Sequence, residues 1–158
     1  MPTIKHILCP IDFSDTSAVG AREAAALARA SGAQLLLVHA LSEPWLARSR
    51  ENSYSAPIAQ QYEMIARCKL EAAVASVEDL TRARSLLVYG PVDEAISQAA
   101  VKHGADVIVM GGRRRRGLAK LLSDGMTERV MKRARVPVVR VSSAPPRKPP
   151  MSFVHRMA

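Results

Sequence analysis

Short apolar runs alternate with longer mixed segments along this chain. Ile4 to Pro10 (IKHILCP), Gln34 to Ala40 (QLLLVHA), Ser85 to Tyr89 (SLLVY), Asp106 to Met110 (DVIVM) and Val136 to Val141 (VPVVRV) are the runs. Each is short and bounded by turn residues, which predicts five buried strands. Residues 15–31 are rich in Ala, which enters a helix at almost no side-chain entropy cost. Ser14 stands where its hydroxyl can cap that helix, and Gly32 where a left-handed residue can end it. Ile58, Tyr62 and Ile65, then Leu70, Val74 and Val77, recur at spacings of four and three, predicting a helix over 58–80. Val92 to His103, closed by Gly104, and Leu118 to Arg135 read as further helices. Residues 41–57, with Pro44, Trp45 and Pro57, read as irregular.

Strands that alternate with helices predict a doubly wound α/β fold: a parallel sheet covered on both faces, with right-handed crossovers. Pro137 cannot donate to a ladder, so the fifth run should lie at a sheet edge or begin after it. Ligands of such sheets bind outside the carboxyl ends of the strands, where the strand order reverses. Asp12 after strand one, Ala40 at the end of strand two and a Gly/Arg loop after strand four converge on that edge.

The length, 158 residues with 48% apolar, suits one domain with one core. We expect a domain over 1–142 and a flexible, Pro-rich basic tail over 143–158. Cys9 and Cys68 have neither metal-ligand spacing nor a disulfide framework, which favours a reducing compartment. No leader-like segment and no apolar run of about 20 residues is present, so the expectation is a cytoplasmic protein without membrane contact. Charge is uneven: residues 1–110 carry a net −2 and residues 111–158 a net +11. That asymmetry suits an anionic partner or a solvated basic face. Nucleic acid is the weaker candidate, because no reading motif and few aromatic platforms accompany the charge.

The strongest local motif is GGRRRRG, Gly111 to Gly117. Its glycines allow close backbone approach, the following helix offers free N–H groups, and Arg113 and Arg114 supply phosphate-binding charge. It matches neither the P-loop nor the dinucleotide fingerprint. His6, His39 and His103 have no metal spacing and read as structural. Cys9 and Cys68 read as inert packing residues, and Met126 and Met131 as core or interface filler. Ser14 lacks a placed base, so the cap explains it better than a nucleophile does. Trp45 reads equally as a partner contact or a lid residue.

Four segments in order carry a resemblance: residues 7–28, 36–40, 88–111 and 117–141. Together they resemble the universal stress protein family over residues 4–141, with Val92 where the family's proline is usual. The resemblance implies a five-stranded parallel sheet in the order 3-2-1-4-5, with helices on both faces. It also implies a homodimer paired through the edge strand Val136 to Val141. In the nucleotide-binding branch ATP, with Mg²⁺, lies between the ends of strands one and four. Carried onto this chain, Pro10, Ile11 and Asp12 line the adenosine side, with Asp12 accepting from a ribose hydroxyl. The Ala40 backbone reads adenine, and Met110 and Gly111 border base and ribose.

The phosphate motif of that branch, G-x2-G-x9-G-[S/T], is altered here. Counted from Gly111, its second and third glycines are Arg114 and Asp124, and its hydroxyl position is Gly125. Counted from Gly112, Gly125 is restored, but Arg115 and Met126 stand at the other two positions. A carboxylate at Asp124 would oppose phosphate by about 1 kcal/mol or more. Either ATP binding is weakened, leaving AMP or another adenosine ligand, or the arginines replace the missing backbone donors. The expected function is a non-enzymatic stress-response or signalling protein with an adenine-nucleotide pocket. A slow ATP hydrolase or phosphotransferase and a ligand-free dimeric interaction module are the alternatives. Against the hydrolase stands the lack of a Mg²⁺-binding carboxylate pair and of a placed general base.

Overall fold

The computed structural model describes residues 3–42, 56–112 and 125–142. The elements in chain order are β1 (His6–Pro10), α1 (Asp15–Ser31), β2 (Gln34–Leu41), α2 (Ala56–Ala75), β3 (Ala83–Tyr89), α3 (Val92–Lys102), β4 (Val107–Gly111), α4 (Met126–Arg133) and β5 (Val138–Val141). The strands form one sheet in the order β3-β2-β1-β4-β5, and every pairing is parallel. The order reverses between β1 and β4, whose register pairs Ile7 with Val107 and Leu8 with Ile108.

Side chains alternate across the sheet, so two cores form. On one face Ile7, Cys9, Leu35, Leu37, Val107 and Val109 meet Ala21, Ala24, Ala25 and Ala28 of α1 and Leu70 of α2. On the other, Leu8, Val38, Ile108 and Met110 meet Ile96, Ala99 and Ala100 of α3 and Val130 of α4. The small side chains of α1 let it lie close to the sheet. At Gly20 an added Cβ would stand 2.5 Å from the backbone nitrogen of Gly111. At Gly111 a Cβ would stand within bonding range of the Thr16 carbonyl oxygen. Backbone therefore meets backbone where α1 crosses the tip of β4, and only glycine fits.

The ends of the elements differ from the sequence expectation for identifiable reasons. β1 begins at His6 rather than Ile4. Asp106 intervenes there: its Oδ2 accepts from the Lys5 N–H at 2.8 Å and the His6 N–H at 2.9 Å. β5 begins at Val138, directly after Pro137, whose carbonyl still accepts from Ile108 N–H at 2.9 Å. β5 is also an edge strand. α2 already includes Ala56 and Pro57, two residues ahead of the expected range; near a helix start the missing N–H of Pro57 has no intrahelical partner to lose. It ends at Ala75, and residues 76–80 continue as turns.

One burial expectation is corrected. Cys68 is exposed and packs against no core, whereas Cys9 is fully buried. Met131, read as core or interface filler, is 41% exposed in the single chain. Ile58, Tyr62 and Ile65 lie in α2, as their spacing predicts, and are about half exposed. The expected helix from Leu118, the Trp45 segment, the arginine run and the tail from 143 lie outside the described residues. Among the described residues no helix is long and apolar enough to cross a membrane.

Candidate functional site

The carboxyl ends of β1 and β4 splay where the strand order reverses, and a cavity of about 410 Å³ opens there. That volume suits a small-molecule ligand. β1 contributes Pro10, and Ile11 and Asp12 follow it; β2 contributes Val38, His39 and Ala40. Val92 and Ile96 of α3 form an apolar wall. The far end is made by Met110 and Gly111 of β4, Gly112, Gly125, the first residues of α4, and Arg140 of β5.

The β1–α1 corner is held firmly. Ile11 N–H donates to the Val38 carbonyl at 2.8 Å. The Ile11 carbonyl lies 2.7 Å from His39 Nδ1. A carbonyl can only accept, so Nδ1 carries the proton, which makes His39 the satisfied structural histidine expected of it. Phe13 follows with φ 65°, a left-handed conformation uncommon for a side chain of this size. Its ring stacks on His39 at 4.3 Å between centroids, and Lys69 Nζ sits 5.6 Å from the same ring. These contacts hold a backbone conformation that costs roughly 1–2 kcal/mol on its own.

That turn aims Asp12 back at α1. Its Oδ1 accepts from the Ser14 N–H at 2.9 Å and from the Ser14 hydroxyl at 2.5 Å. The same hydroxyl accepts from Ser17 N–H at 3.2 Å, which makes Ser14 the helix cap. Burial pushes the Asp12 carboxyl up, but the hydrogen bonds from the Ser14 hydroxyl and amide outweigh it. The net position is below the ordinary carboxylate value, so Asp12 is ionised at neutral pH.

At the other end, Gly112 N–H donates to the Val141 carbonyl at 2.8 Å, fixing the start of the loop against β5. Met110 and Arg140 are register partners on β4 and β5. The Arg140 stem crosses Gly112, where an added Cβ would stand 2.6 Å from Cδ and 2.8 Å from Cγ. Its guanidinium donates to Glu128 Oε1 at 2.7 Å. Gly125 is the N-cap of α4 and has no side chain to cap it. Thr127, in its first turn, is buried at 7% exposure and lines the cavity.

Comparison with known proteins agrees with this architecture. The model of the universal stress protein family matches residues 3–142. A universal stress protein of Thermus aquaticus is 34% identical over 137 residues, covering 87% of this chain and 98% of the relative.

The chain belongs to the universal stress protein family.

Universal stress protein MJ0577 of Methanocaldococcus jannaschii is 25% identical over 150 residues, covering 85% of this chain and 93% of the relative. A solved structure of MJ0577 superposes with a TM-score of 0.74 at 26% identity, over 91% of this chain and 99% of that one. A universal stress protein in complex with cAMP superposes with a TM-score of 0.68 at 20% identity, over 90% of this chain and all of the other. The family fold thus coincides with the observed sheet order.

Of the residues singled out in the sequence, Pro10, Ile11, Asp12, Ala40, Met110, Gly111, Gly125 and Met126 all line the cavity. Arg113 and Arg114 lie outside the described residues. Sequence reasoning missed Thr127, one position beyond the hydroxyl of the shifted motif. It also missed Glu128 and Arg140. A charged residue inside the apolar run VPVVRV was the available signal for Arg140.

Proposed function

We infer that this universal stress protein is a stress-response or signalling protein that binds an adenine nucleotide in the cavity between β1 and β4 without turning it over. The observation that carries this reading is the pairing, across one cavity, of an ionised Asp12 with the side-chain-free backbone of Gly111 and Gly112. A carboxylate suits a ribose hydroxyl, and bare backbone suits close approach by sugar and phosphate. The apolar wall of Val92 and Ile96 and the Ala40 backbone suit an adenine ring. The residues present therefore fit an adenosine ligand. A relative of the same fold in complex with cAMP adds support for a nucleotide with one phosphate.

Binding rather than catalysis is favoured because the Ser14 hydroxyl, although the structure does place the Asp12 carboxylate beside it as a base, is held in the cap of α1. Ser14 donates to Asp12 and accepts from Ser17 in capping α1. Pairing of two copies through β5 is favoured by Val139, an apolar side chain 46% exposed on that edge strand.

The test is calorimetric titration of AMP and of ATP with Mg²⁺ into protein first freed of co-purified nucleotide. Saturable binding is expected, weakened about ten- to hundredfold by Asp12→Ala, the worth of a hydrogen bond to a charged acceptor. No binding of either nucleotide would overturn the reading and leave a dimeric interaction module.

A further inference from the structure

The far end of the cavity contains an ion pair that the nucleotide reading does not use. Glu128 and Arg140 are 12 residues apart, on α4 and β5, and meet at 2.7 Å. Both line the cavity. Glu128 stands at the third position of α4, and its second carboxylate oxygen hangs over the helix-starting glycine: a Cβ on Gly125 would lie 2.5 Å from Oε2. A negative group there meets the positive end of the helix, as a bound phosphate would. The Arg140 stem closes over Gly112, the other glycine at this end. On the nucleotide reading, with adenine at Ala40 and ribose at Asp12, guanidinium and carboxylate stand together at the end of the cavity toward which a lengthening phosphate chain runs.

We propose that the Glu128–Arg140 pair sets the phosphate-chain length this pocket accepts, admitting an adenosine ligand with a single phosphate and disfavouring a triphosphate. The proposal rests on the adenine-nucleotide reading above and specifies its ligand class. The carboxylate acts as an internal stand-in for the distal phosphates: it holds the helix end and neutralises the arginine that would otherwise receive them. A triphosphate must break the pair and bring its own charge beside Glu128. A monophosphate that stops beside the Gly111 backbone leaves the pair intact. Arg140 and Glu128 are side-chain exposed at 34% and 41%, so the pair can rearrange without unfolding the core.

The decisive comparison is Glu128→Gln, which keeps shape and removes charge. Wild-type protein should bind AMP at least about tenfold more tightly than ATP with Mg²⁺, the scale of one uncompensated like-charge contact. In E128Q, Arg140 is released to phosphate, and ATP affinity should rise about tenfold while AMP affinity stays within twofold. In Arg140→Met, ATP binding should fall further while AMP binding is unchanged, a pattern that loss of folding would not give. Nucleotide binding with the same AMP-to-ATP ratio in wild type and E128Q overturns this proposal and leaves the nucleotide reading standing. Binding of neither nucleotide by wild type or E128Q overturns both.

Discussion

Gly20→Ala sets two well-known effects against each other, and the structure says which wins. Gly20 lies inside α1, where alanine is worth about 1 kcal/mol of helix propensity over glycine. Propensity alone would make the variant more stable. Its new Cβ, however, would lie 2.5 Å from Gly111 N, 3.0 Å from Gly111 Cα and 3.3 Å from the Met110 carbonyl carbon. Those atoms are β4 backbone and cannot rotate away. Ordinary contact begins near 3.4 Å, so α1 must withdraw by about 0.9 Å at that point. Ala24, Ala25 and Ala28 are fully buried on the same helix and would lose packing as it lifts. Overpacking of this kind costs about 1–3 kcal/mol. The net expectation is a loss of up to about 2 kcal/mol, which is at most about 4–8 °C in Tm for a chain of this size. Thermal and urea unfolding followed by circular dichroism would measure it. A variant more stable than wild type by about 1 kcal/mol would refute the backbone contact between α1 and β4.

The hydrogen bonds that Asp106 accepts from Lys5 and His6 hold its carboxyl below the ordinary value. A depressed folded-state value contributes stability that is present above the unfolded carboxylate value and lost as pH falls through the folded one. Asp106→Asn should therefore lower the urea midpoint at neutral pH, with the gap to wild type closing in acid; a gap independent of pH would contradict this. The two thiols should differ sharply toward a thiol reagent. Burial pushes Cys9 up to about 12, whereas Cys68 is exposed. Native protein should label once, Cys68→Ser not at all until denatured, and rapid labelling of native Cys68→Ser would place Cys9 at the surface.

The sheet was legible because each strand is a short apolar run between turn residues, and the parallel arrangement followed from the alternation with helices. Its order came only from the family resemblance. Strand starts were less legible: Ile4 and Lys5 look like strand, yet the Asp106 carboxylate, about 100 residues away, receives the first amides. The helical spacing of Ile58, Tyr62 and Ile65 gave the helix but not its exposed side, because periodicity does not say what covers a face. The cavity's β1 and β4 residues were found from their position after strands. Arg140 was not: a charge inside the run VPVVRV marks it as unusual, but its place in the cavity depends on a register with Met110 that the run alone does not encode. Nor could the left-handed Phe13 be anticipated, for its conformation depends on a ring contact with His39 across two strands.

The seam between β1 and β4 also bears on how the molecule is assembled. It joins residues about 100 positions apart, so forming it closes by far the longest loop at the centre of the sheet. Local units such as β1–α1–β2 can form earlier, whereas the central pairing carries the entropic cost that slows folding of high-contact-order proteins. The cavity straddles this seam, with Asp12 on one bank and Gly111 on the other. It therefore does not exist in any partly folded chain in which β1 and β4 are apart. A ligand spanning it would act as a latch that retards unfolding, and its residence would report that the last long-range pairing is complete.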